Sequence, residues 1–203
     1  IARRSISRLL PAAQRDIAAR HGSLEQVEMA VIGMGKLGSG EMSLQSDLDL
    51  VIVCDSSDFA ETSDGEKPLA GDVWMARAAR RLISGLTVPT QEGSLYNVDM
   101  RLRPSGNAGP LVTKMSSFTT YQQNDAWTWE HMALTQASVI AGSPDLVARL
   151  NAVMADVICR QRNKSLLADD VEAMRQRLFE HQKIRGPLDV KNGPGGLIDI
   201  EFM

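Results

Sequence analysis

Asp47 and Asp49 stand one residue apart where a polar connection opens into the apolar run Leu50 to Cys54, and no other feature constrains the fold as tightly. Side chains alternate faces along a strand, so the two carboxylates project to one side, about 7 Å apart along it. Like charges held on one face repel unless a cation lies between them. Hard divalent ions such as Mg²⁺ take oxygen ligands of this kind, with phosphate oxygens completing the shell. Just upstream, the apolar run Val27 to Ile32 ends in glycines at 33, 35, 38 and 40. Glycines let a backbone turn approach an anion closely, and a helix starting there would offer free N–H groups. The pattern predicts a phosphate cradle beside metal-binding carboxylates.

Two better-known glycine motifs fail here. Gly33-Met34-Gly35-Lys36-Leu37-Gly38 matches the GxGxxG of dinucleotide folds, and Asp55 stands where such a fold would place its ribose acid. Only eight residues separate Gly38 from Asp47, however, too few for the full helix that a Rossmann crossover needs. A P-loop is excluded because Leu37, not Ser or Thr, follows Lys36. A third acid, Asp99, interrupts the alternating segment Leu95 to Arg103, whose Tyr96, Val98, Met100 and Leu102 read as a strand. An acid inside an apolar strand costs free energy unless it is paired or liganded. Asp99 either faces solvent on an edge, pairs with Arg101, or lies beside the 47–54 strand and completes a three-carboxylate site for two Mg²⁺ ions. Arg101 and Arg103 share its face by the period of two, placed to hold a triphosphate tail or to tie down the acids.

Composition sets the outer bounds. The 203 residues carry 43% hydrophobic and 23% charged side chains, ordinary for a globular protein. The net charge of −3 and pI near 5.6 give no basic field, so no nucleic-acid partner is expected. Cys54 and Cys159 have no metal spacing and form no disulfide framework, which fits a reducing cytoplasm. His21, His131 and His181 have no ligand spacing either. No apolar run approaches the roughly 18 residues of a membrane span, and the start lacks a signal-peptide pattern. Both ends read as the middle of an element, as in a piece of a longer protein.

The fold expected is α+β. A helix over residues 1–22, broken or started at Pro11, precedes strands at 27–32 and 47–54. The acidic, breaker-rich stretch 55–69 reads as a surface loop, and 72–84 as a helix with an arginine-rich outer face. From Ser116 the texture becomes helical, with helices predicted over 116–124, 126–141, 144–161 and 166–183. The expected layout is an α/β domain over 1–112 and a helical domain over 113–203, in which a turn-rich link over 189–197 leads into a further element.

Four segments, in this order and spacing, carry a resemblance: GMGKLGSGEMSLQSDLDLVIV, VDMRLRPSGNAGPLVT, YQQNDAWTWEHMALTQASVIAG and DVKNGPGGLIDIEF. Together they resemble the bacterial glutamine synthetase adenylyltransferase/adenylyl-removing enzymes, over nearly all of Val27 to Met203. The resemblance implies a DNA polymerase β-like nucleotidyltransferase domain followed by a helical bundle. It implies ATP as substrate, two Mg²⁺ ions and transfer of AMP to a tyrosine of glutamine synthetase, with a PII-type signalling protein possible for the full-length enzyme. Asp47, Asp49 and Asp99 match the catalytic, metal-binding acids, with Asp99 the candidate general base. Gly33, Gly35 and Ser46 match the nucleotide-binding segment, to which Lys36, Arg101 and Arg103 are added as nucleotide-binding candidates. RLRPSG and AWTWEH resemble the adenylylating half more than the removing half. One departure stands out: the family shows a basic pair after WEHMAL, where this chain has Gln136 and Ser138. Trp127 and Trp129 are either a base platform or helix core, and core is the reading the helical pattern favours. Asp189, Lys191, Asp199 and Glu201 match the last motif. The rival readings are the removing half, a small-molecule nucleotidyltransferase with the same SDxD core, and a silent nucleotide-sensing module.

Overall fold

Strands β1 (Val27–Gly33) and β2 (Leu48–Ser56) pair antiparallel from Val27↔Ser56 to Gly33↔Leu50, and everything else packs on them. The structure is a computed structural model describing residues 1–44, 46–56, 61–181, 186 and 189–202. Between the two strands lies one short helix, α2 (Gly35–Ser39), as the eight-residue connection requires. An antiparallel pair joined this way is no dinucleotide-binding unit, and Asp55 instead pairs with Arg149.

Before β1 comes helix α1 (Ala2–His21), which runs unbroken through Pro11. Proline removes one backbone donor from the ladder, and burial of Ile6, Leu10 and Ala13 on the same helix outweighs that loss. Helix α3 (Gly71–Thr87) follows β2, then the exposed two-residue strands β3 (Pro89–Thr90) and β4 (Gly93–Ser94), and the short strands β5 (Val98–Asp99) and β6 (Thr113–Lys114). Next are α4 (Met115–Asn124), α5 (Thr128–Thr135), strand β7 (Ser138–Ala141), α6 (Pro144–Cys159), α7 (Lys164–His181) and α8 (Leu197–Glu201).

The main sheet runs β5-β2-β1-β7, with β6 pairing the same edge of β2 further along. It is mixed: β5 and β6 lie parallel to β2, and β7 antiparallel to β1. Alternation along β1 and β2 feeds two cores. Met29, Val31, Leu48, Leu50 and Ile52 point to α1 and α3, meeting Leu10, Met75, Leu82 and Leu86. Ala30, Ile32, Val51 and Val53 point the other way, onto Phe118, Leu134, Leu146 and Leu150 of α4, α5 and α6. Each such aliphatic side chain contributes about 1.5–3 kcal/mol relative to exposure. A mixed α+β fold with helices on both faces of one sheet results.

Three segments differ from expectation. The helix predicted over 126–141 stops at Thr135, where Gln136 N–H and Ala137 N–H donate back to Ala133 and Leu134 carbonyls in a tightening last turn. Beyond it the β-branched Val139 and Ile140 join the sheet edge beside β1. The strand predicted over 95–103 shrinks to Val98–Asp99, because the Asp99 carboxylate accepts the Arg101 backbone N–H (2.8 Å) and turns the chain. The acidic loop is anchored where it is described: Ser63 is buried, donates to the His21 carbonyl at 2.5 Å and accepts from Leu69 N–H. Its residues 57–60 lie outside the described residues.

Candidate active site

The register of β2 against β5 assembles the acids. Leu48 stands beside Val98 and Asp49 beside Asp99 in a parallel pair. Val98 and Leu48 face the α1/α3 core, so Asp49 and Asp99 both project from the opposite face of the sheet. In-register neighbours on adjacent strands lie about 4.8 Å apart. Asp47, exposed just ahead of β2, falls on the same side by alternation. Thus the structure sets Asp49 beside Asp99, with Asp47 near enough for its charge to act on Asp49.

Their electrostatics diverge. Partial burial pushes the Asp49 carboxyl above the usual carboxylate value, and the charges of Asp99 and Asp47 push it further. Asp99 goes the other way: Arg101, donating from Nε at 2.7 Å and from its backbone N–H, holds it below the ordinary range. This Arg101 side chain is 75% exposed and its partner 19%, so the guanidinium is open to solvent while the carboxylate is largely covered. Among the described residues no three His, Cys, Asp or Glu side chains already converge as a metal set. The donor chemistry otherwise fits a hard cation: oxygen ligands only, and a charge crowding at Asp49 that a cation would relieve.

The glycine segment sits directly beneath. Met34 N–H donates to the Asp49 carbonyl (2.9 Å), fastening the turn to the acid strand. Gly35 takes φ +47°, and a Cβ there would stand 3.2 Å from the Asp49 Oδ2 atom. Its lack of a side chain keeps that carboxylate accessible. Gly38 has a different reason: an added Cβ would meet the Gln136 carbonyl at 2.1 Å and that of Gly33 at 2.4 Å. At Gly33 an added Cβ would instead meet side-chain atoms, Ile140 Cδ1 at 2.2 Å and Leu37 Cγ at 3.0 Å. Lys36 is exposed on α2. Ser46 closes the turn before β2, its hydroxyl accepting from Ser43 N–H at 3.0 Å. Arg103 lies further off in function, its guanidinium donating to the Met100 (2.6 Å) and Pro110 (3.1 Å) carbonyls and so shaping the 100–110 loop.

Sequence reasoning missed Arg3. From the first turn of α1 its guanidinium donates to the Leu37 carbonyl at 3.1 Å, to the Gly38 carbonyl and to Ser138 Oγ at 2.9 Å. Ser138 Oγ in turn donates to the Gly38 carbonyl at 3.0 Å. One arginine thereby ties α1, the glycine turn and β7 together, and nothing in its sequence surroundings signals the role. Gln136 points elsewhere, into a cavity of about 410 Å³ lined also by Trp129, Met132, Met174, Leu178 and Phe202. Trp127 and Trp129 are 68% and 43% exposed, so neither indole is core.

Glu130, 8% exposed, has a structural position: its carboxylate accepts from Tyr121 Oη at 2.7 Å and from the Trp127 N–H at 2.9 Å, capping α5. The last motif forms a braced turn. Asp189 accepts from Asn192 N–H at 3.0 Å, and Asp199 accepts from Gly195 N–H at 2.6 Å and pairs with Arg175.

Residues 2–153 match the family model described as glutamate-ammonia ligase adenylyltransferase. Curated relatives are named bifunctional glutamine synthetase adenylyltransferase/adenylyl-removing enzyme. One from Brucella suis biovar 1 (strain 1330) is 46% identical over 98% of this chain and 20% of its own length. Others are from Bradyrhizobium sp. (strain ORS 278), 46% identical over 92% of this chain and 19% of its own, and Rhizobium meliloti (strain 1021), 43% identical over 98% and 20%. The chain thus spans about a fifth of the length of the curated relatives it matches.

Proposed function

Because this chain belongs to the glutamate-ammonia ligase adenylyltransferase family, we propose that it carries a nucleotidyltransferase centre moving AMP from ATP to a tyrosine of glutamine synthetase. The observation that carries the proposal is the in-register pairing of Asp49 with Asp99 beside Asp47, on one face of the sheet and above a glycine turn. A polymerase β-like ancestry of the sheet, the adenylylating direction, a cytoplasmic setting and a PII-type regulator in the complete enzyme are parts of the same proposal.

Asp47, Asp49 and Asp99 would hold two Mg²⁺ ions, which supply charge neutralisation at the triphosphate and acidify the attacking phenol. A tyrosine hydroxyl has pKa about 10, so its proton needs an acceptor at neutral pH. Asp99, ionised and largely shielded, is the acceptor proposed. Arg101, exposed above it, is placed to exchange the carboxylate for phosphate oxygens, and each bond it gives up returns basicity to Asp99. Gly35 admits the nucleotide close to Asp49, and Arg3 keeps the turn that carries Gly35 in place.

The test incubates the protein with glutamine synthetase, Mg²⁺ and ATP, and reads tyrosine-bound AMP by mass spectrometry. A parallel reaction supplies adenylylated glutamine synthetase and phosphate. AMP gained in the first reaction, and lost with Asp49→Asn, supports the proposal. AMP removed only in the second would reassign the chain to the phosphorolytic half. Silence in both with ATP still bound would make it a sensing module.

A further inference from the structure

On the far side of α5 from the sheet lies a second cavity, about 340 Å³, between α5 and the turn joining α6 to α7. Helix α5 separates it from the carboxylates: Glu130 and Leu134 turn inward and are buried, while Thr128, His131 and Thr135 line the cavity. Three cations within five residues, Arg160, Arg162 and Lys164, also line it. The chain has 25 acids against 22 bases, yet only some of its cations pair with a carboxylate among the described residues. Arg81, Arg101, Arg149 and Arg175 all pair with one. Among the described residues Arg160, Arg162 and Lys164 pair with none.

Two of the three are braced from behind. Arg160 donates to the Gln123 carbonyl at 2.9 Å; Arg162 donates to the Val157 carbonyl and to His131 Nδ1, both at 2.9 Å. His131 Nε2–H donates to the Gln122 carbonyl at 2.9 Å, which fixes the neutral tautomer. Burial lowers the His131 pKa, and the positive field of Arg162 and Arg160 lowers it further. One acid stands at the rim, Asp170, whose carboxylate accepts from Thr128 Oγ1 at 2.7 Å; an anion among the three cations would add attraction from each. The walls between the charges are apolar, from Met132, Ile158 and Leu167.

We propose that this cavity binds a small organic phosphate, its dianion held by Arg160, Arg162 and Lys164 and its body lying on Met132, Ile158 and Leu167. Planar guanidinium forks suit phosphate oxygens, and three cations exceed what a monocarboxylate needs. The volume lies at the lower end of small-molecule clefts, which span roughly 300–1,000 Å³. Binding here is independent of the proposed transfer reaction.

The experiment is a calorimetric titration of the protein with phenyl phosphate at low salt in EDTA, where the three-aspartate site repels anions. One saturable site is expected, weakening as salt rises. Arg160→Gln with Lys164→Gln should lower the affinity by about tenfold or more, the loss of two charge-assisted contacts. Lys164→Gln alone, changing a side chain with no partner among the described residues, should cost about threefold and keeps the test decisive if the double variant unfolds. Benzoate should bind at least about tenfold more weakly than phenyl phosphate, having one charge to offer. Absence of saturable binding, equal affinity for the variants, or equal affinity for benzoate would overturn the assignment.

Discussion

Neighbouring carboxylates at Asp49 and Asp99 are driven in opposite directions, and stability should record both. Asp99, lowered by Arg101, stabilises the fold above its unfolded pKa, and that contribution is lost as pH falls through the folded value. Asp49, raised by burial and by its acidic neighbours, has its favourable contribution below the unfolded pKa, and loses it as pH rises through the folded value. At neutral pH Asp49 therefore works against folding. Asp49→Asn should abolish transfer yet stabilise the protein by about 0.5–1 kcal/mol, read as a thermal midpoint raised by roughly 1–4 °C. Added Mg²⁺ should raise the midpoint of the parent protein and leave that of the variant unmoved. Glu130 offers a contrasting residue. Tyr121→Phe would strip one donor from a buried carboxylate and should cost about 1–3 kcal/mol in urea denaturation, with transfer activity retained wherever the fold survives.

Among the elements, those whose pattern is local were legible in sequence. The two apolar runs, the short glycine connection and the paired aspartates specify β1, α2 and β2 through alternation and spacing alone. Strand β7 was not legible, because WTWEHMALT carries straight on into QASVIA with helical texture; only pairing with β1 decides for the strand. Strand β5 was overestimated because the turn after it is made by the Asp99 side chain, a contact no periodicity displays. Arg3 is invisible for the same reason, since its partners are Leu37, Gly38 and Ser138. Two predictions follow from that junction. Gly38→Ala forces a Cβ into two carbonyl oxygens and should cost about 1–3 kcal/mol or more, measured by chemical denaturation. Arg3→Met should raise the KM for ATP more than it lowers kcat, since it loosens the turn without touching the carboxylates; an unchanged KM would deny it a positioning role.

At the scale of the whole molecule, strands from both sides of Val112 share one sheet, and helices α4 to α6 cover the face that carries the acids. A fragment ending at Val112 would bare Ala30, Ile32, Val51 and Val53, so it should bind a hydrophobic dye strongly and lack a cooperative thermal transition; a sharp transition would show the first segment to be self-sufficient. The same arrangement sets a schedule for synthesis. The β1–β2 hairpin leaves the ribosome while its second face still waits for Leu146 and Leu150, about a hundred residues downstream. At roughly 5–20 residues per second, that hairpin stays half-dressed for some 5–20 s. During that interval Ala30, Ile32, Val51 and Val53 stand uncovered, and the strands that carry Asp49 and Asp99 are held from one face only.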